Sequence, residues 1–191
     1  MNHSIKVWDL PIRLFHWVLV AGFFAAYFTE EDFLTLHVWA GYLVSGLLVF
    51  RLIWGFIGNR YARFSSFSSF FCTPAKSVGY VKELVDGKAK RYLGHNPAGA
   101  AMIVLLLVSL LITAATGFAV YGAEEQAGPL AGIITQNGHF WEELHEFFAN
   151  FTIILVVLHV GGVIVESLLH KENLVRAMIS GYKQADDVSN D

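Results

Sequence analysis

The sequence predicts an all-α membrane protein, a bundle of four transmembrane helices with a short cytoplasmic interfacial helix between the second and third. Three observations predict it. Hydrophobic residues make up 55% of the chain and charged residues only 15%, too apolar a balance for an ordinary soluble domain. The apolar residues gather into four long blocks, each near the roughly 20 residues that cross a bilayer as a helix. The Lys and Arg residues all fall on one side of that layout. The whole chain, 1–191, reads as a single membrane domain.

The first block covers about residues 10–28. Lys6 and Arg13 precede its apolar stretch as in a signal peptide, but Tyr27-Phe28-Thr29 offers no small-residue cleavage site, so 14–28 reads as a retained span. The second covers 33–57 and carries Arg51 near its end, where a long side chain can reach the interface. The connection from Gly58 to Asn96 is long for a bundle and starts irregularly at Ser65–Ser69. From Pro74 to Asp86, Val78, Val81, Leu84 and Val85 recur at helical spacing among Lys76, Lys82 and Glu83, which suggests a short helix on the inner membrane surface. A solvated loop helix would show much the same pattern. The third block, 98–120, has no charge, and the fourth, 143–169, carries Glu166 near its end.

Basic residues concentrate in loops that stay in the cytoplasm. All 13 Lys and Arg residues lie near the start of the first span, around the connection of the second to the third, or after the fourth. The two opposite connections carry only acids, Glu30, Glu31 and Asp32 in one and Glu124, Glu125, Glu142 and Glu143 in the other. Both termini are therefore expected in the cytoplasm. The lone Cys72 cannot form an intrachain disulfide, and without a Cys-x-x-Cys-His run no haem can be attached covalently in the c-type manner. Protease, nucleophile-elbow, phosphate-loop and nucleic-acid patterns are absent.

Chemistry concentrates in four histidines, His16, His37, His145 and His159, in or at the ends of the first, second and fourth spans, where an ionisable group is costly and normally functional. His145 and His159 are fourteen residues apart, which at about 100° per residue falls some 40° short of four turns. Both therefore project from nearly one helix face, about 21 Å apart along the axis. Following the antiparallel path, His16 and His159 share the inner level and His37 and His145 the outer. Facing imidazoles at two depths are what two haem irons need for axial ligands. Six-coordinate irons of that kind suit one-electron transfer.

Small residues one turn beyond three of these histidines, Gly41, Ala149 and Gly162, leave room for a macrocycle, though small residues also mark close helix packing in membranes. Gly99 and Gly117, five turns apart on the third span, could face one haem each. Arg13 and Arg51, together with Arg60 and Arg63, lie at inner span ends, where a guanidinium could pair with haem propionates. Positive-inside anchoring explains these arginines equally well. His3, His95, His139 and His170 read as non-ligands.

Phe15-His16-Trp17, Leu36-His37-Val38-Trp39-Ala40-Gly41-Tyr42, Tyr92-Leu93-Gly94-His95-Asn96-Pro97-Ala98-Gly99, Leu144-His145-Glu146 and Leu158-His159-Val160 together resemble the bacterial cytochrome b561 family. That family includes the b-type cytochrome subunits of nickel–iron hydrogenases. The resemblance covers nearly the whole chain. It implies two non-covalent b haems, paired His16 with His159 and His37 with His145, and exchange with quinones or a partner redox protein. The Gly94-His95-Asn96-Pro97 segment looks like a branch often associated with periplasmic c-type cytochromes. Hydrogenase subunits commonly carry further membrane-spanning sequence, which this chain lacks, so the resemblance points away from a hydrogenase role.

The expected function is electron transfer across the membrane between the quinone pool and a periplasmic redox partner such as a c-type cytochrome. Two other readings remain open: a stand-alone oxidoreductase acting on superoxide or quinone, and a histidine-lined ion or metal transporter without redox chemistry.

Overall fold

In the computed structural model the described residues are 4–30, 32–66 and 74–185. Glu31, Ser68, Ser69 and Cys72 lie outside them. The chain is an all-α membrane protein with four spanning helices: α1 (Leu10–Phe28), α2 (Leu34–Ile57), α4 (Pro97–Glu124) and α5 (Gly138–Leu169). Between α2 and α4 lie a 3-10 turn at Phe64–Ser66 and the short α3 (Pro74–Val85). After α5 comes α6 (Leu174–Ser180). Two short strands, β1 (Ser4–Lys6) and β2 (Tyr182–Gln184), pair antiparallel, with Ile5 opposite Lys183.

Three of the helices start where a side chain takes up an orphan N–H group. Asp9 caps α1 through Ile12 N–H at 3.0 Å, with Pro11 in the first turn, where its missing N–H costs nothing. Asn96 caps α4 through Gly99 N–H at 2.6 Å, with Pro97 as the first helical residue. Asn173 caps α6 through Arg176 N–H at 2.7 Å, and α6 ends at Gly181, whose φ of 90° favours glycine. The long helices expose large apolar side chains such as Trp39, Phe56, Val157 and Leu168. That is the pattern of helices whose surroundings are lipid rather than water.

α3 is two-faced, as the sequence suggests. Tyr80 is buried and donates to the Lys90 carbonyl at 3.0 Å, while Ser77 donates to the Pro97 carbonyl at 3.0 Å. Val78, Val81 and Val85 lie exposed.

Packing divides the chain into two compact units. One comprises Met1–Trp17, Phe50–Val104 and Val157–Asp191, and the other Val18–Val49 and Leu105–Val156. In the first, the strand pair is held by a buried ionic cluster. Arg91 pairs with Glu172 at 2.9 Å and Lys183 lies 3.7 Å from the same carboxylate. Burial opposes ionisation of Glu172. Hydrogen bonds from Arg91, the charges of Lys183 and Arg91 and the Gln184 N–H outweigh it and hold the carboxyl below its ordinary value. In the second unit, the buried Ser109 and Thr152 hydroxyls share a hydrogen bond at 2.7 Å, a polar link between helices that apolar packing alone would not orient.

Candidate haem sites

In the second unit, α2 and α5 bring the His37 and His145 rings together edge to face, with ring centroids 6.0 Å apart and planes at 84°. Each ring is held from behind. His37 Nδ1 lies 2.9 Å from the Ala26 carbonyl at the end of α1, and His145 Nδ1 lies 2.9 Å from the Thr113 carbonyl of α4. A carbonyl oxygen only accepts, so Nδ1 carries the hydrogen on both rings and Nε2 keeps its lone pair free. This is the outer hydrogen bonding that fixes a metal-binding imidazole in tautomer and orientation. Thr116 Oγ1 adds a contact to His145 Nδ1 at 3.3 Å.

A cavity adjoins the two rings, walled by Gly41, Val44, Gly117 and Ala149 among others. A side chain begun at Gly41 would meet nothing within 4 Å, so that wall is open beside His37. Gly117 is tight instead. A Cβ there would stand 2.9 Å from His145 Cε1. Gly117→Val is therefore expected to push the imidazole off its Thr113 anchor at a cost of roughly 1–3 kcal/mol of overpacking. A changed low-spin signal in the redox difference spectrum is the check.

In the first unit, His16 lies within electrostatic range of His159. His16 Nδ1 is buried and has no hydrogen-bond partner among the described residues. Gly161 and Gly162, beside His159, have open space where a Cβ would stand. Arg51 is 3% exposed, lies over the Phe64 ring at 4.6 Å, and its Nη1 finds no acceptor among the described residues. Asp9 lies within electrostatic range of the guanidinium, and the Nη1 left without an acceptor is what a carboxylate-bearing guest would satisfy. Arg13 points elsewhere, its Nη2 donating to the Ile179 carbonyl of α6.

The second unit's residues fit an iron porphyrin, with two imidazoles 6.0 Å apart beside a cavity walled by small residues, and the first unit offers the buried His16 Nδ1 and Arg51 Nη1, both without partners among the described residues. Gly99 does not share in this. A Cβ there would stand 3.3 Å from Asn96 Oδ1, the cap of α4, so its smallness serves the helix start rather than a cofactor.

The pattern that defines prokaryotic cytochrome b561 matches residues 7–181. The chain belongs to the prokaryotic cytochrome b561 family. It is similar to the probable Ni/Fe-hydrogenase B-type cytochrome subunit of Cupriavidus necator, 28% identical over 96% of this chain and 90% of that one. The corresponding subunit of Azotobacter vinelandii is 26% identical over 96% and 90%. The probable Ni/Fe-hydrogenase 1 B-type cytochrome subunit of Escherichia coli K12 is 27% identical over 94% and 91%. The first of these alignments runs over 228 positions, more than this cytochrome's 191 residues, so that relative holds internal sequence the present chain lacks. No solved structure matches the chain. As a b-type cytochrome of the membrane, the protein works in electron transfer through haem.

Sequence reasoning sets His95 aside as a non-ligand, and the structure gives it neighbours. Its ring packs 4.7 Å from Trp8. Burial, with Arg51, Lys183 and His159 nearby, pushes its imidazole down to about 3, which keeps it neutral near pH 7. The same reasoning misses the anchors of the second-unit pair, the carbonyls of Ala26 and Thr113. The Thr116 hydroxyl, 3.3 Å from His145 Nδ1, does carry a signal, since with Ser109 and Thr113 it forms a hydroxyl row at helical spacing on the otherwise apolar α4.

Proposed function

We propose that this cytochrome carries two bis-histidine b haems, one between His37 and His145 and one between His16 and His159. It would pass electrons between the quinone pool and a redox protein on the periplasmic side. The observation that carries the reading is the His37–His145 couple, each ring anchored through Nδ1 at 2.9 Å to a backbone carbonyl. A haem held by two imidazoles supplies a one-electron couple and leaves no open position on the iron.

The residues divide the remaining work. Ala26 and Thr113 hold the His37 and His145 rings in one tautomer, and Gly117 gives the His145 ring room to stand. Arg51 is the propionate anchor of the His16–His159 site, its positive charge favouring the oxidised and reduced states to different degrees. Charge bias in the loops supports cytoplasmic termini. The acidic ends of α4 and α5, with Glu124, Glu142 and Glu143, would then face the periplasm and a basic partner. The relatives named as hydrogenase subunits support a protein partner, whose identity follows from co-purification.

Haem counting with a potentiometric titration tests the proposal. Two haems per chain with two resolved one-electron steps are expected. A single haem, or a high-spin five-coordinate spectrum in the wild-type protein, would overturn it.

A further inference from the structure

The His37–His145 site is unequal behind its two rings. His37 Nδ1 has one acceptor among the described residues, the Ala26 carbonyl at 2.9 Å. His145 Nδ1 meets two oxygens, the Thr113 carbonyl at 2.9 Å and Thr116 Oγ1 at 3.3 Å. The sense of the second contact follows from the hydrogens available. Thr116 Oγ1 also lies 2.9 Å from the Ile112 carbonyl and 3.0 Å from the Thr113 carbonyl, and a hydroxyl has one hydrogen to give. Carbonyls only accept, so that hydrogen goes back to α4 and a lone pair of the same oxygen is left for the ring. His145 Nδ1, which already carries its hydrogen toward Thr113, therefore donates one N–H between two acceptors.

The close approach of α4 brings this about. Gly117, where a Cβ would stand 2.9 Å from His145 Cε1, lets the backbone come against the ring. The adjacent Thr116 is 4% exposed, so water does not compete for its oxygen. The other two hydroxyls of the row are engaged elsewhere, Thr113 Oγ1 donating to the Ser109 carbonyl at 2.9 Å and Ser109 Oγ sharing a hydrogen with Thr152.

We propose that Thr116 is a positioning residue that sets the reduction potential of the His37–His145 haem through His145. This deepens the proposed function and rests on that haem being bound. An acceptor behind a metal-bound imidazole makes the ligand more basic, and a more basic ligand favours the oxidised iron, so hydrogen bonding of this kind moves the potential. The Thr113 carbonyl gives His145 what the Ala26 carbonyl gives His37. Thr116 adds the difference, and holds this haem at a lower potential than two singly bonded imidazoles would.

Potentiometric titration of the purified holoprotein tests the role, in the wild-type chain and on the His159→Ala background that isolates the His37–His145 haem. Thr116→Val nearly keeps the side chain's size and removes the oxygen, while the Ile112 and Thr113 carbonyls remain in the helix ladder. The low-spin signal should persist and the midpoint should rise. The expected rise is a roughly threefold to tenfold change in the oxidised-to-reduced ratio at a fixed ambient potential, about 59 mV at the tenfold limit for a one-electron couple. Thr116→Ser, which retains the hydroxyl, should return the wild-type midpoint. Ser109→Ala, which removes a buried hydroxyl about two turns away on the same helix, should leave it unmoved. If the valine variant holds no haem, Thr116→Ala removes the same oxygen with less bulk and is read by the same criterion. An unmoved or lowered midpoint without the hydroxyl overturns the role of Thr116. So does an equal rise in Ser109→Ala, or a serine variant that behaves like the valine one, since either makes packing the cause.

The two claims fail separately. A wild-type protein with one haem or a high-spin spectrum rejects the haem assignment. Two low-spin haems whose midpoints are indifferent to the Thr116 hydroxyl reject only the role of Thr116.

Discussion

Replacing His145 with alanine is expected to remove one low-spin haem signal and leave the other, so that the haem content falls from two per chain to one. The ring it removes faces His37 at 6.0 Å between centroids and is held by Thr113 and Thr116. Ala149 and Gly117, the nearby small residues lining the cavity, cannot supply another nitrogen ligand. The His16–His159 site draws its residues from the other compact unit, so its coordination has no reason to change. His159→Ala should give the mirror result, sparing the His37–His145 signal. Electron paramagnetic resonance on the two oxidised variants separates the signals. Equal loss of both in either variant, with the helices still folded, would reject the pairing.

The second large effect concerns stability. Glu172→Gln takes the anion from between two cations, Arg91 and Lys183, which lie 2.9 and 3.7 Å from its carboxylate. Breaking a buried pair from one side costs roughly 3–5 kcal/mol, because the remaining charge stays desolvated. Loss of amide protection at Ile5 and Lys183 in β1 and β2, by hydrogen exchange, is the expected sign. Acid should mimic the substitution. The folded protein holds the Glu172 carboxyl below its ordinary value of 4.5, so the unfolded chain takes up the proton more readily. The contribution is thus fully present above pH 4.5 and is lost as the pH falls through the depressed folded value. In Glu172→Gln this acid limb should disappear from the pH profile of strand protection. An unchanged profile would show that another carboxylate governs it.

Much of this is legible in the sequence, for reasons that can be traced to particular residues. The spans are readable because lipid-facing helices are apolar on every side, and α1 and α2 match the expected 10–28 and 33–57 closely. α4 and α5 run further than the expected 98–120 and 143–169, to Glu124 and back to Gly138. A helix does not stop where the hydrocarbon does, and acidic residues continue the turn. The His37–His145 couple is accessible to arithmetic on a regular helix. Its anchors are not, because the carbonyls of Ala26 and Thr113 belong to the backbone and carry no residue signature. Gly99 and Gly117 look equivalent at a spacing of five turns, and only their neighbours, Asn96 and His145, tell a helix cap from a ligand's resting place. The strand pair is invisible, since three-residue strands at opposite ends of the chain leave no local period to read.

That pairing also sets an order of events during synthesis. β1 is made first and its partner β2 ends at Gln184, so the N-terminal strand must wait, with its ladder amides unsatisfied, while every membrane helix is translated and inserted. At bacterial elongation rates of roughly 5–20 residues per second the wait is on the order of ten seconds or more. Closure of this seam therefore comes after the last spanning helix is made, and it ties the segment before α1 to the segment after α6.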